Sequence, residues 1–290
     1  MKAVAFAPGH ISAFFEPIYQ KQNAARSGSR GAGINISLGA TSQVVVNSSI
    51  NQTIDISINN KKTDALVSKL AIKHLIGNTP LSITINTKLD LPIGQGFGMS
   101  GAGALSSTIA LAKLLHIPKE EALKASHYAE VELHTGLGDI LASSFGGIEI
   151  RREAGLPPWG MIEHIPGKFE VIACIIGTEI DTKKILSDPV KINNIASYGR
   201  YCTKKILEKP SIENLFSLAQ TFTKKIGLAD KKVLEAIDAA NYHGMASMCM
   251  LGNSVFAVGD ADNLCKSLST FGKVYVCSVD QGGARVLDTD

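Results

Sequence analysis

The sequence has few cysteines and lacks any long apolar run. Five cysteines occur among 290 residues, an odd number, and no two are spaced as Cys-x-x-Cys. This usage is typical of buried free thiols in a reducing compartment. No apolar stretch approaches the ~20 residues that a membrane-spanning helix needs, and Pro8 and Gly9 break the apolar start before it could form a signal sequence. We therefore expect a cytoplasmic protein without a membrane partner.

The sequence also lacks a strong excess of charge of either sign. Lys and Arg total 29 and Asp and Glu total 26, which leaves a net charge of +3. No Lys/Arg cluster is interleaved with aromatic residues, so we expect no nucleic-acid partner. Apolar residues make up 45% and charged residues 19% of the chain, which is typical of a globular protein with a sizeable core.

Strand patterns dominate the first ninety residues. The opening strand, residues 2–7, is expected to end at Pro8-Gly9, and residues 12–33 are rich in glycine, serine and aromatics. Apolar and polar residues then alternate at 34–38, 43–50, 53–58 and 81–88, and helical spacing occurs at 63–76.

Helical patterns become frequent after residue 90. They occur at 104–115, at 118–134 and, as two or three segments, between 181 and 250, with strand patterns at 169–176, 254–258 and 273–278. The stretch 153–160, rich in Gly and Pro, is the best candidate for a linker. We therefore predict an α+β fold of two domains, residues 1–155 and 156–290.

A glycine-rich turn, Pro92-Ile-Gly-Gln-Gly-Phe-Gly-Met-Ser-Gly-Ala102, precedes the helical pattern at 104–115. Its glycines allow positive φ and let the backbone N–H groups approach an anion closely. The following helix, expected to begin near Ser100, adds unpaired N–H groups and the positive end of its dipole. The Ser100 hydroxyl could cap this helix or reach a bound Mg²⁺.

Three interpretations of the turn compete. The P-loop is excluded because no Gly-Lys-Ser/Thr follows. The segment Gly96-Phe-Gly-Met-Ser-Gly101 satisfies the dinucleotide pattern G-x-G-x-x-G, but Pro92 and the antiparallel texture upstream do not fit a βαβ unit. A glycine-rich helix start with no ligand is the third interpretation, although so many glycines are costly unless the bare backbone is needed.

The turn resembles the phosphate loop of the GHMP kinase superfamily, whose pattern is Pro-x-x-x-Gly-Leu-Gly-Ser-Ser-Ala-Ala. Phe97, Met99 and Gly101 replace the Leu, the first Ser and the first Ala, whereas Ser100 keeps the second Ser. Pro8-Gly-His10 resembles the first motif of these kinases, Pro-Gly-Arg/Lys, and Leu251-Gly-Asn-Ser254 a degenerate third motif.

Several segments together resemble the archaeal pantoate kinase branch of that superfamily. They are Phe6-Ala-Pro-Gly-His-Ile-Ser-Ala-Phe-Phe15, Gly28-Ser-Arg-Gly-Ala-Gly33, Ala129-Glu-Val-Glu132, Thr135-Gly-Leu-Gly-Asp139, Met250-Leu-Gly-Asn-Ser-Val-Phe-Ala257 and Gly282-Gly-Ala-Arg285. The resemblance spans nearly the whole chain. It implies a ribosomal S5 domain 2-like N-terminal domain, a ferredoxin-like C-terminal domain and ATP-dependent phosphorylation of the 4-hydroxyl of pantoate in coenzyme A biosynthesis.

The resemblance implies ATP and Mg²⁺ as cofactors and a set of residues that bind them. Contacts to ATP are expected from Pro92, Gly94, Gln95, Gly96, Phe97, Gly98, Met99, Ser100, Gly101 and Ala102. Ser100 and Glu130 are the expected metal ligands; Glu132 is the rival, two residues away on another helix face.

Asp139 aligns with the catalytic aspartate of mevalonate-type kinases, where it would accept the proton of the substrate hydroxyl or only orient it. It could also cap a helix N-terminus. His127, Glu130 and His134 share one helix face, which without further support is a weak metal signal.

A small carboxylate substrate calls for arginine, and the candidates are Arg30, beside Ser29, and Arg151. His10 could line the same pocket, and His127 lies one helical turn from Glu130. Each of the two arginines could instead be a solvated surface charge, an interpretation that is weaker for Arg151.

Three other functions stay open on the sequence alone. The chain could be another GHMP-type kinase acting on a mevalonate- or homoserine-like substrate, a catalytically silent relative that senses a ligand, or a dinucleotide-binding protein. A homodimer is also left open.

Overall fold

The fold is built on a long antiparallel strand pair at the start of the chain. The structure, a computed structural model, describes residues 1–20 and 22–290. Strand β1 (Lys2–Ile18) pairs with β2 (Gly28–Ser48) along nearly its whole length. The predicted end of the first strand at Pro8-Gly9 is wrong, since β1 continues to Ile18. The pairing with β2 shifts register between Pro8 and Gly9, and this irregularity accommodates a proline that has no N–H to donate.

The larger sheet extends from this pair on both sides. Its further strands in the first part of the chain are β3 (Thr53–Ile58), β4 (Lys61–Lys62), β5 (Leu81–Leu89), β6 (Ile148–Glu153) and β7 (Met161–Ile165). β2 pairs with β5, β5 pairs with β3, and β3 pairs with β4. The start of β2 pairs with β6, and β6 pairs with β7. The segments predicted separately at 34–38 and 43–50 are both parts of β2.

Four helices follow in the first half of the chain: α1 (Leu66–Ile76), α2 (Met99–Leu114), α3 (Lys119–Leu133) and α4 (Asp139–Phe145). α2 and α4 pack against the larger sheet, and α1 and α3 pack against α2 and against each other. α2 is buried on nearly every side, which fits its Gly, Ala and Ser content and its lack of a polar face. Its interior hydroxyls are paired, since the hydroxyls of Ser106 and Ser107 both bond to that of Ser42 on β2. A central helix of this kind fixes the glycine-rich turn at its start.

The second sheet contains β8 (Glu170–Ile175), β9 (Gly244–Met248), β10 (Ser254–Gly259) and β11 (Lys273–Ser278). Helices α5 (Thr182–Leu186), α6 (Pro189–Glu208), α7 (Ile212–Ile226) and α8 (Lys231–Ala240) join β8 to β9, and α9 (Ala261–Ser269) joins β10 to β11. The order β11-β8-β10-β9 is all antiparallel. This order and its two helical crossovers confirm the ferredoxin-like arrangement predicted for the second half.

The stretch 153–160 joins β6 to β7, and these two strands pair with each other. The last strand, β12 (Arg285–Thr289), returns to pair with β1. The larger sheet thus takes strands from beyond residue 155, and the division of domains at that residue stays a prediction.

Among the described residues, no helix combines the length and the apolar character that crossing a bilayer requires.

Candidate active site

A cavity of about 580 Å³ lies where the glycine-rich turn, the end of α3, the start of α4 and the segment before α5 meet. Its lining includes Ile93, Gly94, Gly96–Gly101, Glu130, Thr135–Asp139 and Glu179–Lys184. Strand β1 contributes His10, Ser12 and Phe15, and β2 contributes Ser29. Residues separated widely in the chain therefore face a single space.

The glycine-rich turn forms one wall of this cavity in a conformation that requires glycine. Gly94, Gly96 and Gly98 have φ values of 76°, 77° and 62°, in the region that residues with a Cβ rarely adopt. Gly98 is the N-cap of α2, and Ala102 is the first residue whose N–H bonds back to it, at 2.9 Å. The preceding N–H groups of α2 have no partner within the helix and can receive an anion.

Three predicted members of the turn do not line the cavity. The Gln95 side chain is buried and donates to the Gly177 carbonyl at 3.1 Å. Ala102 is buried in α2, and neither it nor Pro92 lines the cavity. The degenerate motif at 251–254 packs against the backbone of the turn. The Ser254 hydroxyl donates to the Gln95 carbonyl, and a Cβ on Gly252 would overlap the Gln95 backbone.

Glu130 and its rival Glu132 lie in different surroundings. Glu132 is largely exposed and pairs with His74 at 3.1 Å on the outer surface. Glu130 is buried beside the cavity, and no hydrogen bond or ion pair from a described residue reaches its carboxylate. Burial, together with the negative charge of Asp139, raises the pKa of Glu130 well above its usual range. An unpaired buried carboxylate of this kind is stabilised by a bound cation.

The Glu130 carboxylate fits between two glycines. A Cβ on Gly101 would stand 2.7 Å from Glu130 Oε1, and one on Gly136 would stand 2.6 Å from Oε2. The replacement of the superfamily alanine by Gly101 therefore has a physical reason here, since the space is taken by Glu130.

Gly101→Ala is expected to displace Glu130 and to lower the kinase activity that the resemblance implies by about tenfold or more, because small misplacements of groups in an active site are costly. Gly103→Ala is the matched control on the same helix, since its Cβ would meet nothing closer than 3.8 Å. Steady-state kinetics and melting temperatures of the two variants check this. Equal activity of Gly101→Ala and Gly103→Ala would contradict the role given to Gly101.

Asp139 begins α4 and holds a buried histidine. Its Oδ1 accepts a hydrogen bond of 2.7 Å from His10 Nδ1, and its side chain is 28% exposed toward the cavity. Burial would raise the pKa of Asp139, but the hydrogen bond and charge of His10 and the charge of Arg151 outweigh it and lower that pKa. Asp139 is thus held as a carboxylate on the cavity lining, and its Oδ2 has no hydrogen-bond partner among the described residues.

His10 is the centre of a buried ionic cluster. Its Nε2 lies 3.0 Å from Glu149 Oε1, which also accepts from Arg151 Nη1, and Arg151 Nη2 donates to the Ser12 hydroxyl at 3.3 Å. Burial disfavours the charged imidazolium, but Glu149 and Asp139 prevail and raise the pKa of His10 to about 9. His10 therefore donates from both ring nitrogens at neutral pH.

The raised pKa of His10 predicts a loss of stability in alkaline solution. Its stabilising contribution is fully present below the ordinary pKa of 6.5 and disappears as the pH rises through about 9. The shift corresponds to up to about 3 kcal/mol in the free energy of unfolding.

Urea unfolding of the wild type and of His10→Gln at pH 6.5 and at pH 9.5 checks this. The wild type should lose more stability than the variant over that interval. The cysteines titrate in both proteins and cancel in the difference. An equal loss in both would contradict the assignment.

The remaining predicted substrate residues are divided between the cavity and its surroundings. Ser29 lines the cavity, and a Cβ on Gly138 would overlap its hydroxyl and stand 2.9 Å from Arg151 Nε. Arg30 does not line it; its Nε donates to the Arg152 carbonyl at 2.8 Å and it pairs with Glu16.

His127 also lies away from the cavity lining, since its Nε2 donates to the Ala24 carbonyl at 3.0 Å. Burial lowers the pKa of His127, so the ring is held neutral. In the described part of the chain, no group of three or more His, Cys, Asp or Glu could hold a metal ion. The shared face of His127, Glu130 and His134 is therefore not a metal cluster.

Sequence reasoning missed the segment Glu179–Lys184. Ile180 donates its N–H to the Gly94 carbonyl at 3.0 Å, and Glu179 packs over the bare Cα of Gly94. Lys183 and Lys184 bring positive charge to the cavity lining. Nothing in the local pattern connects these residues with a turn some eighty positions earlier. By contrast, the alternation of β6 could have shown that Glu149 and Arg151 share one face.

The arrangement suits Mg²⁺ bound together with phosphates. Mg²⁺ is usually held by one or two carboxylates plus hydroxyls, waters and substrate phosphates rather than by a cage of protein ligands. The unpaired Glu130 carboxylate and the Ser100 hydroxyl, both on the cavity lining, are a donor set of that kind.

Comparison with known proteins gives consistent matches. The family model described as the GHMP kinases N terminal domain matches residues 65–147. A pantoate kinase of Methanocaldococcus jannaschii is 32% identical over 277 residues, which cover 94% of this chain and 99% of that protein. A pantoate kinase of Methanospirillum hungatei is 32% identical over 293 residues, covering 99% of this chain and 96% of that protein.

Solved structures give the same picture. One described as a phosphotransferase related to the coenzyme A biosynthesis pathway has a TM-score of 0.89 and 26% identity, covering 99% of this chain and 98% of that one. The mevalonate kinase of Methanococcus jannaschii has a TM-score of 0.71 at 18% identity, covering 97% and 98% of the two chains, and is similar in fold.

Proposed function

The chain belongs to the pantoate kinases of the GHMP kinase superfamily, and on that premise we propose that it phosphorylates the 4-hydroxyl of pantoate with ATP. The product is 4-phosphopantoate, an intermediate of coenzyme A biosynthesis. The observation that carries the proposal is the single cavity onto which the start of α2, Glu130 and Asp139 all open. The free thiols of the five cysteines favour the cytoplasm as the place of this reaction.

The glycine-rich turn and α2 form the nucleotide side of the site. The unpaired N–H groups at the start of α2 and the positive end of its dipole bind phosphate oxygens. Lys183 and Lys184, which line the same cavity, add positive charge to the phosphate side of the site. Ser100 and Glu130 would hold Mg²⁺, which when bound neutralises the charge that develops on the transferred phosphoryl group.

Asp139 forms the acceptor side of the site. Its Oδ1 is held by His10, so Oδ2 is the oxygen that faces the pantoate hydroxyl. There it orients the hydroxyl toward the phosphoryl group and takes its proton as the new bond forms. Its lowered pKa keeps it ionised and ready to accept at neutral pH.

The substrate carboxylate is expected to contact Ser29, with Arg151 behind it, because Arg151 is fully buried and does not line the cavity. The Ser29 hydroxyl lines the cavity, and Arg151 Nε is a buried donor without a partner among the described residues. A hydroxyl backed by a guanidinium suits a small carboxylate. Arg30 and His127 act behind this contact set, since both are engaged with backbone carbonyls.

A coupled assay of ADP release tests the function. The protein is incubated with Mg-ATP and, separately, with pantoate, mevalonate or homoserine. We expect turnover of pantoate that exceeds the other two by at least about 100-fold, because a site built to pair polar groups strongly rejects substrates that leave them unpaired. Turnover of mevalonate or homoserine with none of pantoate would overturn the substrate, and turnover of none of them would overturn the function.

A further inference from the structure

Glu149 is a buried carboxylate outside the cavity. It lies on β6, is 0% exposed and does not line the cavity. Its Oε1 meets two cationic groups, His10 Nε2 at 3.0 Å and Arg151 Nη1. A charged group in such a place is costly to bury unless it is paired, and the two cationic partners of Glu149 are buried beside it.

The fold makes room for this contact. Gly33 on β2 is the strand partner of Glu149, and a Cβ on Gly33 would stand 3.1 Å from Glu149 Oε1 and 2.5 Å from His10 Nε2. The bare Cα of Gly33 therefore lets a carboxylate on β6 reach a histidine on β1 across the strand between them. Any side chain at that position would separate the two groups.

The charges around His10 come from three elements. Asp139 on α4 faces Nδ1, Glu149 and Arg151 on β6 face Nε2, and Glu130 on α3 acts from farther away across the cavity. Arg151 Nη1 lies 3.1 Å from His10 Nε2. Without the Glu149 carboxylate, two cations would face each other in a buried space.

We propose that Glu149 is a positioning residue for phosphoryl transfer, which holds the protonated His10 ring so that Nδ1 donates to Asp139. The inference rests on the proposed function. Because Nε2 is anchored by Glu149, the ring cannot rotate away from Asp139. Asp139 Oδ1 then stays occupied and Oδ2 stays directed to the acceptor hydroxyl. Glu149 acts only through His10 and touches neither substrate nor nucleotide.

The test is Glu149→Gln, which keeps the size of the side chain and removes its charge. We expect kcat to fall about 10- to 30-fold while KM for ATP changes by less than about twofold, because a transition-state interaction is lost and ground-state binding is kept. The alkaline limb of the kcat–pH profile should move down by about one pH unit or more, since His10 loses an anionic partner.

Two further variants separate positioning from structure. Glu163→Gln on β7 removes a carboxylate that pairs with Arg152 on the surface and should leave kcat and its pH profile unchanged. Glu149→Asp keeps the charge and should restore the alkaline limb toward that of the wild type. An unchanged profile in Glu149→Gln, or a loss of kcat equal at every pH, would overturn the inference.

The titration of His10 can also be measured without any substrate, which separates the role of Glu149 from the proposed function. NMR titration of histidine-labelled protein, with the His10 signal assigned through His10→Gln, should show a lower titration midpoint for His10 in Glu149→Gln. An unchanged midpoint would overturn the inference even if pantoate is the substrate. A wild type that phosphorylates no acceptor, with a shifted midpoint, would overturn the function and leave the Glu149–His10 coupling standing.

Discussion

Replacing Asp139 by Asn is expected to lower kcat for pantoate phosphorylation by about 10²- to 10⁴-fold, the range typical of a lost general base. The amide cannot take the hydroxyl proton, and its weaker bond to His10 no longer fixes the orientation of the side chain. KM for ATP should change little, because Asp139 lies on the acceptor side and not on the turn. Steady-state kinetics with each substrate varied in turn measure both quantities.

The control for this change is Asp55→Asn, which removes an exposed carboxylate paired with Lys62 on the surface. It should alter neither kcat nor stability by much, since exposed ion pairs contribute little. Thermal melting of both variants shows whether the Asp139 variant is folded. A folded Asp139→Asn protein whose kcat is within about threefold of the wild type would exclude Asp139 as base and as orienting group.

Replacing Glu130 by Gln is expected to lower activity at millimolar Mg²⁺ by about 100-fold, with partial recovery as Mg²⁺ is raised. The wild-type carboxylate is buried on the cavity lining without a partner among the described residues, and burial together with the charge of Asp139 raises its pKa, so a bound cation would stabilise its charged form. Loss of that charge removes the attraction for a cation and leaves the shape of the site intact. Activity is measured against Mg²⁺ at saturating ATP and pantoate.

Glu132→Gln is the matched control, two residues along the same helix. Its carboxylate pairs with His74 at the surface, so the variant should retain activity within about twofold of the wild type at every Mg²⁺ concentration. An unchanged Mg²⁺ dependence in Glu130→Gln would remove Glu130 from the metal site. A larger effect of Glu132→Gln than of Glu130→Gln would move the site to the other helix face.

Several parts of the fold followed from local patterns. The helix predicted over 118–134 is present as α3, and the strands predicted at 169–176 and 273–278 are present as β8 and β11. The extension of β1 beyond Pro8-Gly9 was missed, because a proline in a strand is tolerated only where the partner shifts register, and the partner lies thirty residues away. Strand β12 was missed for a similar reason, since its exposed residues gain their order from pairing with β1.

Some of the site residues could likewise be predicted from the sequence, whereas others required the tertiary structure. The glycine-rich turn could be found from the sequence because positive φ at Gly94, Gly96 and Gly98 is a local requirement that selects glycine in place. The resemblance to GHMP kinases supplied Glu130 and Asp139. The choice between Glu130 and Glu132 could not be made from the chain alone, since it depends on which face of α3 meets α2.

The conformation of the glycine-rich turn and the α+β character of the chain can therefore be predicted from the sequence, because backbone conformation and hydrophobic periodicity depend on neighbouring residues. The tertiary structure alone shows that Glu149 on β6 reaches His10 on β1 past the bare Cα of Gly33, and that Lys183 and Lys184 line the same cavity as the turn. Those contacts depend on strand register and on helix docking between distant segments. Both are set by burial of the whole core and by no local pattern.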